Sequence, residues 1–109
     1  MPGKFLAEFE LYVMLAVARL GDGAYGAAIR DEIEDRVSRP VSIGALYATL
    51  HRLGNKSLVR FEKEEDSGRA GRARKYVRLT AEGREALDHS TAMLHRMMDG
   101  VAPAVGGKR

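Results

Sequence analysis

The spacing of apolar residues constrains the fold most, because they recur at steps of three and four along most of this 109-residue chain. Such spacing places side chains on one face of an α-helix and predicts four helical segments. The positions that carry the pattern are Phe5, Phe9, Tyr12, Val13, Ala16 and Leu20; Tyr25, Ile29, Ile33 and Val37; Ile43, Leu46, Leu50 and Leu53; and Leu87, Thr91, Leu94 and Met98. Gly21 and Gly23 end the first segment, and Pro40 ends the second because proline disfavours helical geometry in the residue before it. A chain of this length then folds as one mainly helical domain.

The third segment has an apolar face, which we predict to be buried, and a polar one. Ser42 is the predicted N-cap of this helix, which is expected to run to about Lys56. Val41 and Leu46 occupy the two positions of a hydrophobic staple. The opposite face is small, polar and without acid, and consists of Gly44, Tyr47, Ala48, His51 and Asn55, with Arg52 on its flank. Such a face can lie close to a phosphate backbone or in a groove.

A β-hairpin is predicted after the third helix. Residues 58–64 and 74–79 are rich in β-branched and aromatic side chains, and they flank a charged loop that contains glycine. Thr80 is the predicted cap of the last helix, whose apolar stripe is close to a heptad seam and needs a partner surface. From Gly100 the tail has no periodicity, and we expect it to be disordered.

The net charge of +3 is unevenly distributed. Residues 39–61 and 67–81 contain no acid, and their basic side chains are Arg39, Arg52, Lys56 and Arg60 in the first block and Arg69, Arg72, Arg74, Lys75 and Arg78 in the second. Such blocks indicate a surface that faces a polyanion, because each cation placed on a phosphate releases condensed counterions. On charge alone, a solvated basic face without a partner is an equally good interpretation.

This order of elements, three helices followed by a β-hairpin and a last helix, predicts a winged helix-turn-helix. The third helix of such a fold enters the major groove of DNA. The chain also resembles the PadR-type transcriptional regulators over roughly residues 9–89. The resemblance is carried by Tyr25-Gly26 with Ile29, by Ser42-Ile43-Gly44-Ala45-Leu46-Tyr47, by Arg52-Leu53, and by Arg74-Lys75-Tyr76-Val77-Arg78-Leu79-Thr80-Ala81-Glu82-Gly83. Two positions depart from the family pattern: Ala48 stands where proline is frequent, and Ser57 stands where a turn glycine is usual.

The resemblance implies a mainly α fold with a small β-hairpin, a winged helix-turn-helix with a C-terminal dimerisation helix. Residues 1–79 would form the DNA-binding domain, 80–99 the dimerisation helix and 100–109 the disordered tail. It further implies a homodimer that represses transcription from a roughly palindromic operator and leaves double-stranded DNA when a small molecule binds. The two third helices of such a dimer would lie about 34 Å apart, one turn of the duplex.

We predict DNA contacts from Ser42, Gly44, Tyr47, Ala48, His51, Arg52, Arg69, Arg72, Arg74 and Lys75. Arg69 and Arg72 are expected at the minor groove or its phosphates. Arg74 and Lys75 are expected on the phosphate backbone, at the base of the hairpin. Other interpretations remain open: Tyr47 as a half-buried packing residue, Ser42 as a plain cap, and Gly44 as a site of tight packing between helices. For Tyr25, core packing is the preferred interpretation over a backbone contact.

Dimerisation is assigned to the last helix. Its predicted seam is Leu87, Thr91, Leu94 and Met98, with Phe5, Phe9 and Tyr12 of the first helix as neighbours. Phe9, Tyr12, Met93 and Met97 would give an effector cavity a soft, aromatic lining suited to a small apolar or aromatic ligand.

Other function classes fit the sequence less well. Residues 21–26 read G-x-G-x-x-G, the pattern of a dinucleotide-binding turn. Such a site requires a strand before the pattern and an acidic residue about 20 positions after it. Here a helix is predicted before the pattern and no acid stands at that distance. Residues 68–71 read G-x-x-G, the loop with which KH domains hold single-stranded RNA, although strands flank it here. An RNA-binding module is therefore the alternative.

Catalysis and membrane insertion also find little support in the sequence. The chain has no cysteine, and His89 and His95 fall on different helix faces, so we predict no metal, no cofactor and no enzymatic activity. The longest apolar run, residues 11–18, falls far short of the roughly 20 residues that cross a bilayer, and a cytoplasmic location is expected.

Overall fold

The structure is a computed structural model that describes residues 6–65 and 73–101. Within these ranges the chain forms α1 (Glu8–Leu20), a 3₁₀ turn (Gly21–Gly23), α2 (Gly26–Val37), α3 (Ile43–Asn55), strands β1 (Val59–Glu65) and β2 (Ala73–Leu79), and α4 (Ala81–Met98). This order confirms the mainly α winged-helix fold with its small hairpin. The predictions for Phe5, Arg69, Arg72, the G-x-x-G loop and the tail after residue 101 lie outside the described residues.

The core is built around α1, which packs against α2, α3, β2 and α4. The buried apolar residues of this core are Val13, Met14, Ala16 and Val17 from α1, Ala24 before α2, Ile29 and Ile33 from α2, Leu46, Leu50 and Leu53 from α3, Leu58, Val59 and Val77 from the hairpin segment, and Leu87 from α4. Burying a leucine or isoleucine fully contributes roughly 1.5–3 kcal/mol, so these contacts supply the main stabilisation of the fold.

The first turn of α3 differs from the prediction. Ile43 was expected in the buried stripe, but it is 43% exposed, whereas Thr49 is buried with Leu46 and Leu50. The turn that precedes α3 is exposed at residues 38–40, and Gly44 and Ala45 are exposed too. The first turn of α3 therefore protrudes beyond the core, and the buried stripe starts at Leu46.

The turn between α2 and α3 is fixed by local hydrogen bonds. α2 ends at Ser38, whose φ of 60° is left-handed and whose N–H donates to the Glu34 carbonyl (2.9 Å). The Glu34 carboxylate accepts from the Val41 N–H (2.7 Å), and Ser42 Oγ accepts from the Ala45 N–H (3.0 Å). The predicted N-cap of α3 is thus confirmed. The hydrogen bonds of this turn also fix the direction in which α3 leaves it.

The base of the hairpin, the α3–β1 turn and the start of α4 meet at Thr80. β1 and β2 pair antiparallel from Val59 opposite Leu79 to Glu65 opposite Ala73. Thr80 Oγ1 donates to the Ser57 carbonyl (2.7 Å) and accepts from the Gly83 N–H (2.8 Å), which confirms its role as a cap. A Cβ at Gly83 would overlap the Leu58 carbonyl oxygen, so glycine is required for α4 to approach this closely.

The hairpin is also anchored at the segment before α2. Val77 N–H donates to the Ala24 carbonyl (2.7 Å), and Tyr25 forms an isolated β-bridge with Tyr76. α2 therefore begins at Gly26, after Tyr25, the first position of the predicted stripe, because the backbone at Ala24 and Tyr25 is extended and pairs with β2. No helix in the described ranges is long and apolar enough to cross a membrane.

Candidate nucleic-acid interface

The exposed face of α3 contains the residues predicted for it. Gly44, Tyr47, Ala48, His51 and Asn55 are all exposed, on the side of α3 opposite its buried leucines. A Cβ placed on Gly44 would meet no atom within 4 Å, which rules out tight packing within the protein as the reason for this glycine. At Gly44 the outer surface of α3 therefore has no side chain above it and is open to solvent.

Tyr47 is partly exposed and partly packed against α2. It is 52% exposed, so a large part of its side chain faces solvent. Its other part lies against the start of α2, where a Cβ on Gly26 would overlap the Tyr47 hydroxyl and lie 2.9 Å from its Cζ. Gly26 is buried, and the Tyr25-Gly26 pair thereby makes room for the Tyr47 ring between α2 and α3.

An acid from α1 lies beside the basic end of α3. Glu10 is only 4% exposed, and its Oε2 lies 3.1 Å from Lys56 Nζ and 3.6 Å from Arg52 Nε. Its other carboxylate oxygen accepts from the Ala7 N–H (3.0 Å). Burial raises the pKa of the Glu10 carboxyl, but the Ala7 hydrogen bond and the Lys56 and Arg52 cations outweigh it, so its pKa lies below the ordinary value.

Sequence reasoning missed this contact because residues 39–61 contain no acid of their own. A signal was nevertheless present. Glu10 stands three and seven residues before Val13 and Val17, on the buried face of the first helix, and an acid at such a position needs an ionic or hydrogen-bonded partner.

The outer end of the hairpin carries aromatic–cation contacts. Arg74 Cζ lies 4.3 Å from the centroid of the Tyr25 ring, and that ring meets the Tyr76 ring edge-on at 5.8 Å between centroids. Tyr25 is half-buried beneath the hairpin, so it packs within the chain, but against Tyr76 at the edge of the core and not in the predicted core stripe. The reason is that Tyr25 precedes α2 and does not share the apolar face of Ile29 and Ile33.

Arg74 and Lys75 also occupy a different level of the hairpin from the one predicted. They lie opposite Glu64 and Lys63 towards the outer end of the strands, whereas the base is formed by Val59 and Leu79. Lys75 Nζ is 5.4 Å from the centroid of the Phe61 ring. Because Lys63 and Lys75 face each other directly, their like charges destabilise the hairpin unless an anion lies between them.

Carboxylates neutralise part of each basic block. Glu62 pairs with Arg60 (2.9 Å) and Arg78 (3.3 Å) on the hairpin, as Glu10 does with Arg52 and Lys56 on α3. In the described part of the chain the positive surface is consequently narrower than the sequence suggests. Within the same residues no three or more His, Cys, Asp or Glu side chains gather as they would around a metal ion.

A comparison with protein families identifies the chain's relatives. Residues 14–89 match the family described as "Transcriptional regulator PadR-like family", which is well over half of the chain. The chain belongs to the PadR-like family of transcriptional regulators. The matched range contains all of α2, α3 and the hairpin together with the first half of α4.

Solved structures support this assignment. A PadR-like transcription factor from Bacteroides fragilis is 30% identical, with 82% of each chain covered and a TM-score of 0.67. A PadR family transcriptional regulator from Eggerthella lenta is 32% identical, with 85% of this chain and 83% of that one covered and a TM-score of 0.66. RosR from H. salinarum is 26% identical, over 91% and 83% of the chains, with a TM-score of 0.71. A search among curated proteins gives no match.

In this PadR-like regulator the predicted dimer residues of α4 divide into two groups. Leu87 is buried in the core of its own chain, so its predicted place in an exposed seam has to be revised. Thr91 is half-buried, and its hydroxyl donates to the Leu87 carbonyl (3.1 Å). Leu94 and Met98 are exposed, since the second half of α4 projects beyond the core formed with α1 and β2.

The predicted neighbours in α1 line a groove of the PadR-like chain. Phe9 and Tyr12 border a cleft of about 380 Å³ together with Ile33 and Val37 of α2 and with the turn that leads into α3. Ser42, the cap of α3, also lines this cleft. Met93 and Met97, which were expected beside Phe9 and Tyr12, do not line it; they lie on α4.

Proposed function

We propose that this PadR-like regulator binds double-stranded DNA sequence-specifically, with α3 in the major groove, and represses transcription. The observation that carries the proposal is the exposed, acid-free face of α3. Its small residues Gly44 and Ala48 permit close approach, and the helix N-terminus behind Ser42 favours a phosphate. Tyr47 and His51 then reach phosphates or base edges one turn further along.

The hairpin supplies the second contact in this proposal. Lys75 and Arg74 are exposed at its outer end, where Lys63 adds a third cation that the sequence analysis did not single out. We assign these side chains to the phosphate backbone. Arg69 and Arg72 belong to the hairpin connection beyond the described residues, and we assign them to the minor groove or its phosphates. Arg52 flanks the α3 face, although its guanidinium lies beside Glu10.

A homodimer would present two such surfaces to a palindromic operator. Leu94 and Met98 of α4 are exposed apolar side chains, and Phe9 and Tyr12 of α1 are half-buried beside the groove. A second copy that covers them would bury apolar area, which favours association. Half-sites about 10 base pairs apart, one duplex turn, are expected for this arrangement.

The groove beside Ser42 is the proposed site for an effector. Its apolar residues suit a small apolar or aromatic molecule, and Glu8 and Arg39 add charged groups to its lining. Its position at the turn before α3 would let a ligand change the orientation of α3. Release from DNA requires that the ligand bind more tightly to a conformation that does not fit the operator.

The test is fluorescence anisotropy with three probes at two salt concentrations. The probes are duplex DNA from upstream of the protein's own coding sequence, a scrambled duplex of equal composition, and single-stranded RNA. We expect tight binding to the upstream duplex, weaker binding to the scrambled one and little to RNA. A preference for RNA would support the alternative of an RNA-binding module, and equal binding to both duplexes would contradict sequence-specific recognition.

A further inference from the structure

Glu10 is a buried carboxylate that the proposed DNA contacts do not use. Its nearest cations both lie at the C-terminal end of α3: the Nζ of Lys56, the C-cap residue, at 3.1 Å, and Arg52 Nε in the last turn, at 3.6 Å. The carboxylate is itself fixed, since it accepts from the Ala7 N–H at the start of α1. One acid therefore connects α1 to the end of α3 from which both cations extend.

The two cations also reach the surface. The side chain of Arg52 is 53% exposed and that of Lys56 is 37% exposed, whereas Glu10 is almost completely covered. Arg52 is adjacent to His51, on the flank of the face that α3 presents. A DNA phosphate near this flank would compete with Glu10 for the same guanidinium.

We propose that Glu10 is a positioning residue that holds Arg52 and Lys56 against α1 and so limits how many phosphates α3 engages. This inference rests on the proposed function. Its consequence concerns general affinity: phosphate contacts strengthen binding to every sequence alike, whereas contacts with base edges distinguish sequences. By withholding two cations, Glu10 lowers the affinity for every duplex by the same factor and leaves the distinction between sequences to the base contacts.

The removal of this charge has a measurable signature. Each additional phosphate contact makes the plot of log affinity against log salt concentration steeper by about 0.9. If Arg52 and Lys56 turn to phosphates, the slope should therefore become steeper by about 1–2 in a variant without the Glu10 charge. At roughly 0.1 M salt, affinity for a scrambled duplex should rise about fivefold or more for each new contact.

The test compares Glu10→Gln with Glu8→Gln. Glu8 lies on the same helix and is exposed, and its carboxylate accepts from the Tyr12 hydroxyl of α1, so the control removes the same charge without releasing Arg52 or Lys56. Anisotropy is measured for each protein with the upstream and scrambled duplexes across a range of salt concentrations. For Glu10→Gln only, we expect a steeper slope and a higher affinity for both duplexes, with the upstream-to-scrambled affinity ratio unchanged.

Two further variants serve as controls: one in case Glu10→Gln does not fold, and one to show that Arg52 makes the new contact. Glu10→Met replaces the carboxylate with an apolar side chain of similar size, while the partly exposed Arg52 and Lys56 keep contact with water, and it should give the same steeper slope if Glu10→Gln does not fold. Glu10→Gln combined with Arg52→Gln should reduce the slope again by about one relative to Glu10→Gln alone.

The outcomes separate this inference from the proposed function. If the wild-type chain binds the upstream duplex specifically but Glu10→Gln and Glu10→Met give the slope of Glu8→Gln, the role of Glu10 is refuted and the function stands. If the wild-type chain binds no duplex, both are refuted together.

Discussion

α3 and the β1–β2 hairpin, the two parts of the proposed DNA-binding surface, arrange their charges in different ways. On α3 the exposed face is small and uncharged, and the cations on its flank and at its end lie beside a buried carboxylate. On the hairpin, Arg74 and Lys75 lie against the aromatic rings of Tyr25 and Phe61 near the outer end of the strands.

The difference has a physical meaning. An aromatic ring orients a cation without cancelling its charge, whereas a carboxylate neutralises it. α3 is consequently suited to reading base edges by close approach, and the hairpin is suited to sequence-independent attraction to phosphates. The following variants test this division of roles.

The largest effect is expected from an acid on the exposed face of α3. Gly44→Glu should fold normally, because nothing lies within 4 Å of a Cβ at this position and an acid in the first turn of a helix is favourable. Against DNA, the new carboxylate faces phosphates, and like charges brought together cost several kcal/mol, so affinity should fall roughly 100-fold. The measurement is anisotropy with the upstream duplex.

Ala81→Glu is the matched control for this variant. Ala81 is exposed in the first turn of α4, so the substitution adds the same charge in the same helical context. We expect at most a twofold change in affinity for this variant. An equal loss for both would show that net charge, and not the α3 face, determines binding.

A second, smaller effect concerns the stability of the α1–α3 contact. The pKa of Glu10 is below its ordinary value in the folded chain, so its ionised form stabilises the fold above the unfolded pKa, and this stabilisation is lost as pH falls through the folded pKa. The free energy of unfolding of wild type should exceed that of Glu10→Gln by about 1 kcal/mol at pH 7, a value discounted because Arg52 and Lys56 are partly exposed. Urea unfolding at pH 7 and at acidic pH measures the difference, which should shrink on acidification. A constant difference would contradict ionic stabilisation by Glu10.

The sequence predicted those parts of the fold that depend on local patterns. Three-and-four spacing identified each helix, and the caps Ser42 and Thr80 were recognised because a cap is a contact within three residues. The exposed face of α3 followed from the same spacing, since Leu46, Leu50 and Leu53 determine which side is buried.

The remaining parts depend on contacts between distant segments. The position of Tyr25 is determined by pairing with Tyr76, and Leu87 is buried by the chain's own core, a surface that α4 alone does not reveal. Glu10 meets Lys56 across 46 positions of sequence. A count of charges by segment assigns Glu10 to one block and Arg52 and Lys56 to another. Such a count therefore does not show that Glu10 neutralises these two cations.

The third effect tests the hairpin. Lys75→Gln should weaken binding to the upstream and scrambled duplexes equally, roughly fivefold near 0.1 M salt, and make the salt slope shallower by about 0.9, because Lys75 is proposed to contact one phosphate. The same change removes both the repulsion from Lys63 and the contact with the Phe61 ring, two effects of opposite sign and similar size, so thermal stability should change little. Arg84→Gln, which removes an exposed cation of α4, is the control and should leave the slope unchanged. A loss confined to the upstream duplex would mean that Lys75 reads sequence, which would end the proposed division between the hairpin and α3.

The smallest effect concerns the turn that joins the two parts. Ser57 has a left-handed φ of 64°, and its carbonyl accepts from Thr80 Oγ1 between α3 and the hairpin. A residue with a Cβ pays about 1 kcal/mol for this conformation, which glycine adopts readily and which explains why the family usually has glycine here. Ser57→Gly should therefore raise the free energy of unfolding by about 0.5–1 kcal/mol and the melting temperature by several degrees.

Ser57→Ala is the comparison for this last variant, because it keeps the Cβ and removes only the hydroxyl. It should not stabilise the protein, whereas a gain equal to that of Ser57→Gly would mean that backbone strain is not the cause. Neither substitution alters a proposed DNA contact, so both should leave affinity for the upstream duplex within about twofold. If Ser57→Gly instead lowers affinity while it stabilises the fold, the strained turn helps to set the angle between α3 and the hairpin, and the two parts of the surface do not act independently.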